Sequence, residues 1–157
     1  MENLEMNRVL TSLRNLCSKR EYSVPDIMDK AQKALDGNRK AASEVVSILV
    51  KEGYVDNRRY CAAFASDKSS LSGWGKTKIR FQLKLKGLSV EDIDYGLSRI
   101  DAEKADAKLE KIIRNRMKFL KDDPQWKMKV IRFAAGRGYD FDEIASTIEK
   151  VVSVGEE

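Results

Sequence analysis

Five cations fall within one short stretch: Lys76, Lys78, Arg80, Lys84 and Lys86. Fifty-one residues on, Lys76 returns as Lys127, Lys78 as Lys129 and Lys86 as Arg137. Lysine and arginine hold anions, phosphate or carboxylate, through charge-assisted hydrogen bonds. Further candidates for the same work flank these two stretches: Arg58, Arg59, Tyr60 and Trp74 before the first, and Arg114, Arg116, Lys118 and Arg132 around the second. A ring among cations is what a stacked base or an interface anchor requires, so Tyr60 and Trp74 belong with them. Core packing is the default role for Trp74, with base stacking or an interface anchor the alternatives, and Trp126, just before the recurring stretch, carries the same ambiguity.

Other chemistry is poorly provided for. The chain contains no histidine, which removes Ser–His and Cys–His nucleophiles and His-ligated metals. No phosphate-binding glycine loop or dinucleotide fingerprint occurs. The acids sit mostly where helix starts explain them. An enzyme is a poor fit, and neither a cofactor nor a metal is expected. Cys17 and Cys61 make no metal or redox spacing and read as two reduced, buried thiols. The acidic N-terminus lacks the apolar core of a secretory signal, and no apolar run is long enough to span a membrane. A cytoplasmic protein is expected.

The modest net charge of +5 conceals strong local fields. Residues 56–90 carry eight Lys and Arg against two Asp, a net +6, and residues 104–137 carry eleven against four acids, a net +7. Between and after them, residues 91–103 sum to −4 and residues 138–157 to −5, while residues 1–55 sum to only +1. Such blocks either steer a polyanionic partner or are solvated helix faces that pair with their neighbours.

The elements that would carry these side chains read as helices throughout, because apolar residues recur at helical spacing and no strand alternation persists. The stretch from Lys76 to Leu97 recurs without a gap as Lys127 to Ile148: Ile79 as Val130, Leu83 as Ala134, Gly87 as Gly138, Ile93 as Ile144 and Leu97 as Ile148. An internal repeat of this length implies stacked modules. Three units follow, each of three helices: residues 8–55, 56–100 and 101–151. Ser23 with Asp26, Ser89 with Asp92, and Asp140 with Glu143 mark helix starts, since a short polar side chain caps the free amides and an acid complements the dipole. Asp123-Pro124 is read as another start, with Pro in the first helical turn. Val9, Leu10, Leu13 and Leu16, then Ile27, Ala31 and Leu35, then Val45, Val46, Leu49 and Val50 give the core of the first unit. Tyr60, Ala63 and Phe64 give the apolar side of the helix that opens the second. The first unit keeps the apolar frame, has four extra residues around Gly37 and Asn38, and has Val24 and Asp26 in place of Lys76 and Lys78.

At about 100° per residue, Ile79 and Leu83 share one side of their helix while Phe81 and Leu85 lie opposite. The expectation is one side packed in its own unit and the other against a neighbouring unit. Lys86 and Arg137 suit the last turn of a helix, where a cation stabilises by about 0.3–1 kcal/mol. Lys76, Lys78, Lys127 and Lys129 lie near helix starts, where the dipole disfavours them. An anionic partner would account for that, unless neighbouring acids offset the cost.

These segments resemble a known family. EGYVDNRRYCAAF (Glu52 to Phe64), followed by GWGKTKIRFQLKLKGLSVEDIDYGL (Gly73 to Leu97), resembles the RecX family of bacterial recombination regulators, through Gly53, Tyr54, Asp56, Arg59, Tyr60, Phe64, Gly75, Lys78, Ile79, Leu83, Lys86 and Gly87. RFAAGRGYDFDEI (Arg132 to Ile144) resembles the family's closing repeat and KREYSVPDI (Lys19 to Ile27) its opening one. The chain departs from the family in its longer loop near Gly37 and in Ala31 and Ala134, where Leu is usual. The resemblance implies an all-α fold of three tandem three-helix repeats in an elongated, curved array. It implies a monomer that binds the RecA–single-stranded-DNA filament and restrains its extension, ATP hydrolysis and strand exchange in recombination, DNA repair and the SOS response, without catalysis. Whether single-stranded DNA is also contacted directly is left open. A DNA-binding helical protein that acts without RecA is the alternative, and a helical scaffold or enzyme subunit a third.

Overall fold

A computed structural model describes residues 2–155. Among them are nine helices and no strand: α1 (Glu2–Lys19), α2 (Val24–Ala34), α3 (Arg39–Lys51), α4 (Asn57–Ser70), α5 (Lys76–Leu85), α6 (Val90–Ser98), α7 (Ala102–Phe119), α8 (Trp126–Gly136) and α9 (Phe141–Gly155). Among the described residues, no helix is long and apolar enough to cross a membrane. The core divides into three clusters: one within Val9–Val55, one within Cys61–Leu97 and one within Leu109–Val151.

The recurring apolar positions are those cores. Ile27, Ile79 and Val130 are fully buried, as are Ala31, Leu83 and Ala134, and Val45, Ile93 and Ile144. The alanines therefore occupy the same buried place as Leu83. Burying an isoleucine of this kind contributes about 1.5–3 kcal/mol, so the frame of each unit rests on a handful of side chains.

Local signals set the helix ends. The Ser23 hydroxyl accepts from the Asp26 amide at 3.1 Å, and that of Ser89 from the Asp92 amide at 3.2 Å. Asp140 and Glu143 form a reciprocal capping box, each accepting from the other's amide at 2.8 and 3.0 Å. The longer loop of the first unit reverses the chain through two consecutive left-handed residues, Asp36 (φ 54°) and Gly37 (φ 81°). Asn38 then caps α3 by accepting from the Ala41 amide.

Several expectations need correction. Pro124 does not open a helix. It lies in a turn, in which Asp123 accepts from the Gln125 amide, and α8 starts two residues later at Trp126. Cys61 is buried, but Cys17 is only partly so. Val50 is exposed rather than part of the core. Phe81 and Leu85 meet no neighbouring unit and are 59% and 67% exposed. The fully buried stripe of α4 is Cys61, Ala65 and Ser69; Tyr60 and Phe64 pack beside it against the same core but are only partly buried. That stripe of small side chains lets α4 lie close against α6 at Gly96.

The two junctions between the clusters differ. At the second, α4 packs on α7, and the amides of Gly75 and Thr77 donate to the carbonyls of Arg137 and Gly138 at 2.8 and 3.1 Å. The start of α5 is thus capped by the end of α8. A Cβ at Gly75 would overlap the Gly138 carbonyl, and one at Gly138 would overlap Lys78. Arg137 adds a bond from Nη1 to the Ser72 carbonyl at 2.9 Å. The first junction rests on side chains: Asn57 Oδ1 accepts from the Val24 amide at 2.8 Å, and Arg59 Nε donates to Glu21 at 2.5 Å.

Candidate functional site

Cys61, Ala65 and Ser69 take the innermost face of α4, and its aromatic residues lie on the flank, partly buried against the same core. Tyr60 and Phe64 are half-buried and line a cleft of about 560 Å³ between the first and second units. Arg20, Tyr22, Lys30 and Lys33 face it from the first unit, and Lys68 and Lys86 from the second. The rings form a row: Tyr60 to Phe64 at 5.9 Å, then Phe64 edge-on to Trp74 at 6.2 Å.

Cations stand over these rings. The Lys68 ammonium lies 4.7 Å from the Trp74 ring centre and 5.5 Å from that of Phe64, and Lys78 lies 4.6 Å from Trp74. Lys86 lies 5.8 Å from Phe64, and Arg20 lies 4.3 Å from Tyr22. A cation over a ring face is stabilised by the ring quadrupole by about 0.5–1 kcal/mol at exposed sites. These contacts hold positive charge beside flat apolar surface, the combination that strand-like polyanions require. Burial pushes the Tyr60 phenol above its usual range, and Lys86 opposes that shift. Asp26, Asp29 and Asp67 also line the cleft, so its field is mixed.

The predicted cations fall into two groups. Several are engaged within the fold. Arg59 bonds Glu21 and the Gly53 and Tyr54 carbonyls, Arg80 bonds Asp94 at 2.6 Å, and Arg114 bonds Glu110 at 2.9 Å. Arg58 sits 4.4 Å from the Tyr95 ring centre and 3.9 Å from Asp92. Lys129 pairs with Asp123, which holds that carboxyl below its usual range. Arg116 covers Phe133 at 4.0 Å, and Arg137 lies 5.3 Å from the same ring. Lys76, Lys84, Lys118, Lys127 and Arg132 are exposed. Trp74 and Trp126 are each half-buried against the core of their own unit. Among the described residues, no three acids or cysteines gather as a metal site.

The fold itself offsets part of the dipole cost at α5. Its first turn holds no acid and no side-chain cap, but the carbonyl end of α8 abuts it. A helix C-terminus carries partial negative charge, which accommodates Lys76 and Lys78. At the start of α8 the neighbouring Asp123 does the same for Lys129.

Family models match both repeats that carry the predicted cations. Residues 56–97 match the second three-helix domain of RecX and residues 101–148 the third. The chain belongs to the RecX family. A relative called regulatory protein RecX, from Chlorobium phaeobacteroides (strain BS1), is 31% identical over 139 residues, covering 87% of this chain and 88% of the relative. The RecX of Salmonella arizonae (strain ATCC BAA-731 / CDC346-86 / RSK2980) is 26% identical over 126 residues, covering 80% of this chain and 75% of its own. The crystal structure of RecX from Lactobacillus salivarius shares the fold at a TM-score of 0.81 and 16% identity, over 93% of this chain and 96% of that one.

In this RecX-family chain, sequence reasoning missed the first-unit side of the cleft and Lys68. Lys68 was within reach, because it stands four residues after Phe64, the spacing that places two side chains together on a helix. Arg20 and Tyr22 lie in the KREYSVPDI segment, but only the approach of α4 to the first unit shows which surface they face.

Proposed function

We propose that this chain binds the RecA–single-stranded-DNA filament and restrains its extension, ATP hydrolysis and strand exchange, as a cytoplasmic regulator of recombination and repair without catalysis of its own. In this reading the chain is three tandem repeats, residues 8–55, 56–100 and 101–151, acting as a monomer. The second and third repeats carry the contact face.

One observation carries the reading: in a RecX-family chain, cations stand over a row of rings at Phe64 and Trp74, inside the matched second domain. Exposed Lys76, Lys84, Lys127, Lys118 and Arg132 extend the positive surface. Polyanion binding of this kind is salt-sensitive.

The test adds the protein to RecA on single-stranded DNA and follows ATP hydrolysis and strand exchange. Both should slow as the protein approaches saturation. No change at excess protein would refute the reading. A salt titration on naked DNA covers the alternative: tight, steeply salt-dependent binding without any effect on RecA would make the chain a DNA-binding protein that acts without RecA.

A further inference from the structure

Phe81 and Leu85 form an apolar pair on the outer side of α5, one helical turn apart and 59% and 67% exposed. The repeat does not require them. The equivalent positions are Asp29 and Lys33 in the first unit and Arg132 and Gly136 in the third. Those units build the same helix with polar or small residues there, so the pair belongs to the surface of the middle unit rather than to its fold. Large apolar side chains paired at this spacing are the anchors by which one helix seats another protein segment.

The surroundings select the partner. On the helical wheel Lys78 and Lys84 lie roughly 60° to either side of Phe81. No Asp or Glu occurs between Lys76 and Lys86. The acid bonded to this helix, Asp94, is occupied by Arg80. The face is therefore an apolar pair within a positive border. A nucleic acid strand would satisfy the lysines and could stack on Phe81, but it would give Leu85 nothing comparable.

We infer that the Phe81–Leu85 face docks a protein segment whose apolar side chains are bracketed by Asp or Glu. This rests on the proposed filament binding and deepens it: α5 touches the protein of the filament, and the aromatic row around Trp74 adjoins that face at Lys78.

The experiment compares the full chain with its Phe81→Ser/Leu85→Ser variant on three probes: the RecA–single-stranded-DNA filament, the same DNA without RecA, and the chain alone in sedimentation. Both side chains are exposed, so melting should not move, and the single Leu85→Gln variant repeats the measurement with a milder change. Filament affinity should fall by at least about tenfold, as expected for truncating a pair of interface anchors, while affinity for naked DNA stays within about twofold and both proteins sediment as monomers. Equal filament binding by both proteins overturns this inference alone. A parallel loss on naked DNA assigns the face to nucleic acid, and self-association lost in the variant assigns it to a second copy; either overturns it. A wild-type chain that leaves the filament unbound overturns the functional reading, and this inference with it.

Discussion

Cys61 and Gly96 meet so closely that a Cβ at position 96 would lie 2.7 Å from the backbone and Cβ of Cys61. This contact fixes the roll of α4 on α6. With the small stripe innermost, Tyr60 and Phe64 take the flank of α4, partly buried against the same core and lining the cleft. The Tyr60 and Phe64 rings on the cleft are thus set by a contact with a glycine on another helix.

Gly96→Ala should destabilise the protein by about 1–3 kcal/mol, the cost of overpacking a site whose neighbours include backbone. Gly136→Ala is the contrast. It also ends up in a helix, but its Cβ would meet nothing within 4 Å. It should be neutral or stabilising by up to about 1 kcal/mol, because alanine loses less backbone entropy than glycine on entering a helix. Urea unfolding of the two variants reads both the sign and the size.

The cationic face can be tested without disturbing the fold. Reversing Lys76, Lys78, Arg80 and Lys84 together is predicted to weaken filament binding while helix content is kept. The Arg80–Asp94 pair refines this, because Arg80→Glu would set two acids face to face. Lys76→Glu/Lys78→Glu/Lys84→Glu, with Arg80 kept, should lower filament affinity by at least about tenfold at low salt, with the gap to wild type narrowing as salt screens the face. Circular dichroism and a binding titration at two salt concentrations decide it. Undiminished binding would move the contact to the Arg114–Lys118 segment of α7.

The two thiols should separate cleanly. Cys61 is fully buried, and its thiol is pushed up to about 11 by burial, with Asp92 adding to the shift. Cys17 is partly exposed, and its thiol is raised by burial and by Glu21. The thiolate is the reactive species. A thiol reagent at pH 8 should therefore label Cys17 slowly and Cys61 only on unfolding, as intact mass before and after urea would show.

Alkali should weaken the fold through Cys61 and Tyr139. Each is more acidic in the unfolded chain than in the folded one: 9.0 against about 11 for the thiol, and 10.0 against about 12 for the phenol, which is raised first by burial and then by Glu143. The unfolded chain therefore ionises first. The stability these groups contribute is fully present below pH 9 and is lost as pH rises through their folded values. Cys61→Ala should flatten the first part of the decline in a urea series from pH 8 upward. An unchanged slope would show that the thiol is not the group responsible.

How far the chain was legible depended on the range of each signal. The apolar frame was readable because Ile79 and Val130, or Ile93 and Ile144, are buried by helices near in sequence, where periodicity alone determines the inner face. Ser23, Ser89 and Asp140 were readable because a cap acts over three residues. Pro124 misled because a proline fits a tight turn as well as a first helical turn, and Asp123 took the Gln125 amide instead. The face of α4 misled because size mattered more than hydropathy: Cys61, Ala65 and Ser69 look like a weak core stripe until α6 presents Gly96. Phe81 and Leu85 misled because apolar character at helical spacing implies packing, and here that side of α5 is open. The partners of Arg59 and Arg80 depend on approach between elements, which no local pattern encodes.

The bonds from Gly75 and Thr77 to the end of α8 bear on how the protein comes apart. Unwinding the last turn of α8 would strip the cap from α5, so the third repeat cannot melt without loosening the second. Among the described residues, no comparable backbone bond ties the first repeat to its neighbour; Asn57 and Arg59 hold it through side chains. In a linear array, coupling between neighbours sets how many repeats unfold together. Three repeats here should behave as two cooperative blocks, with the first able to open on its own while the other two stay folded.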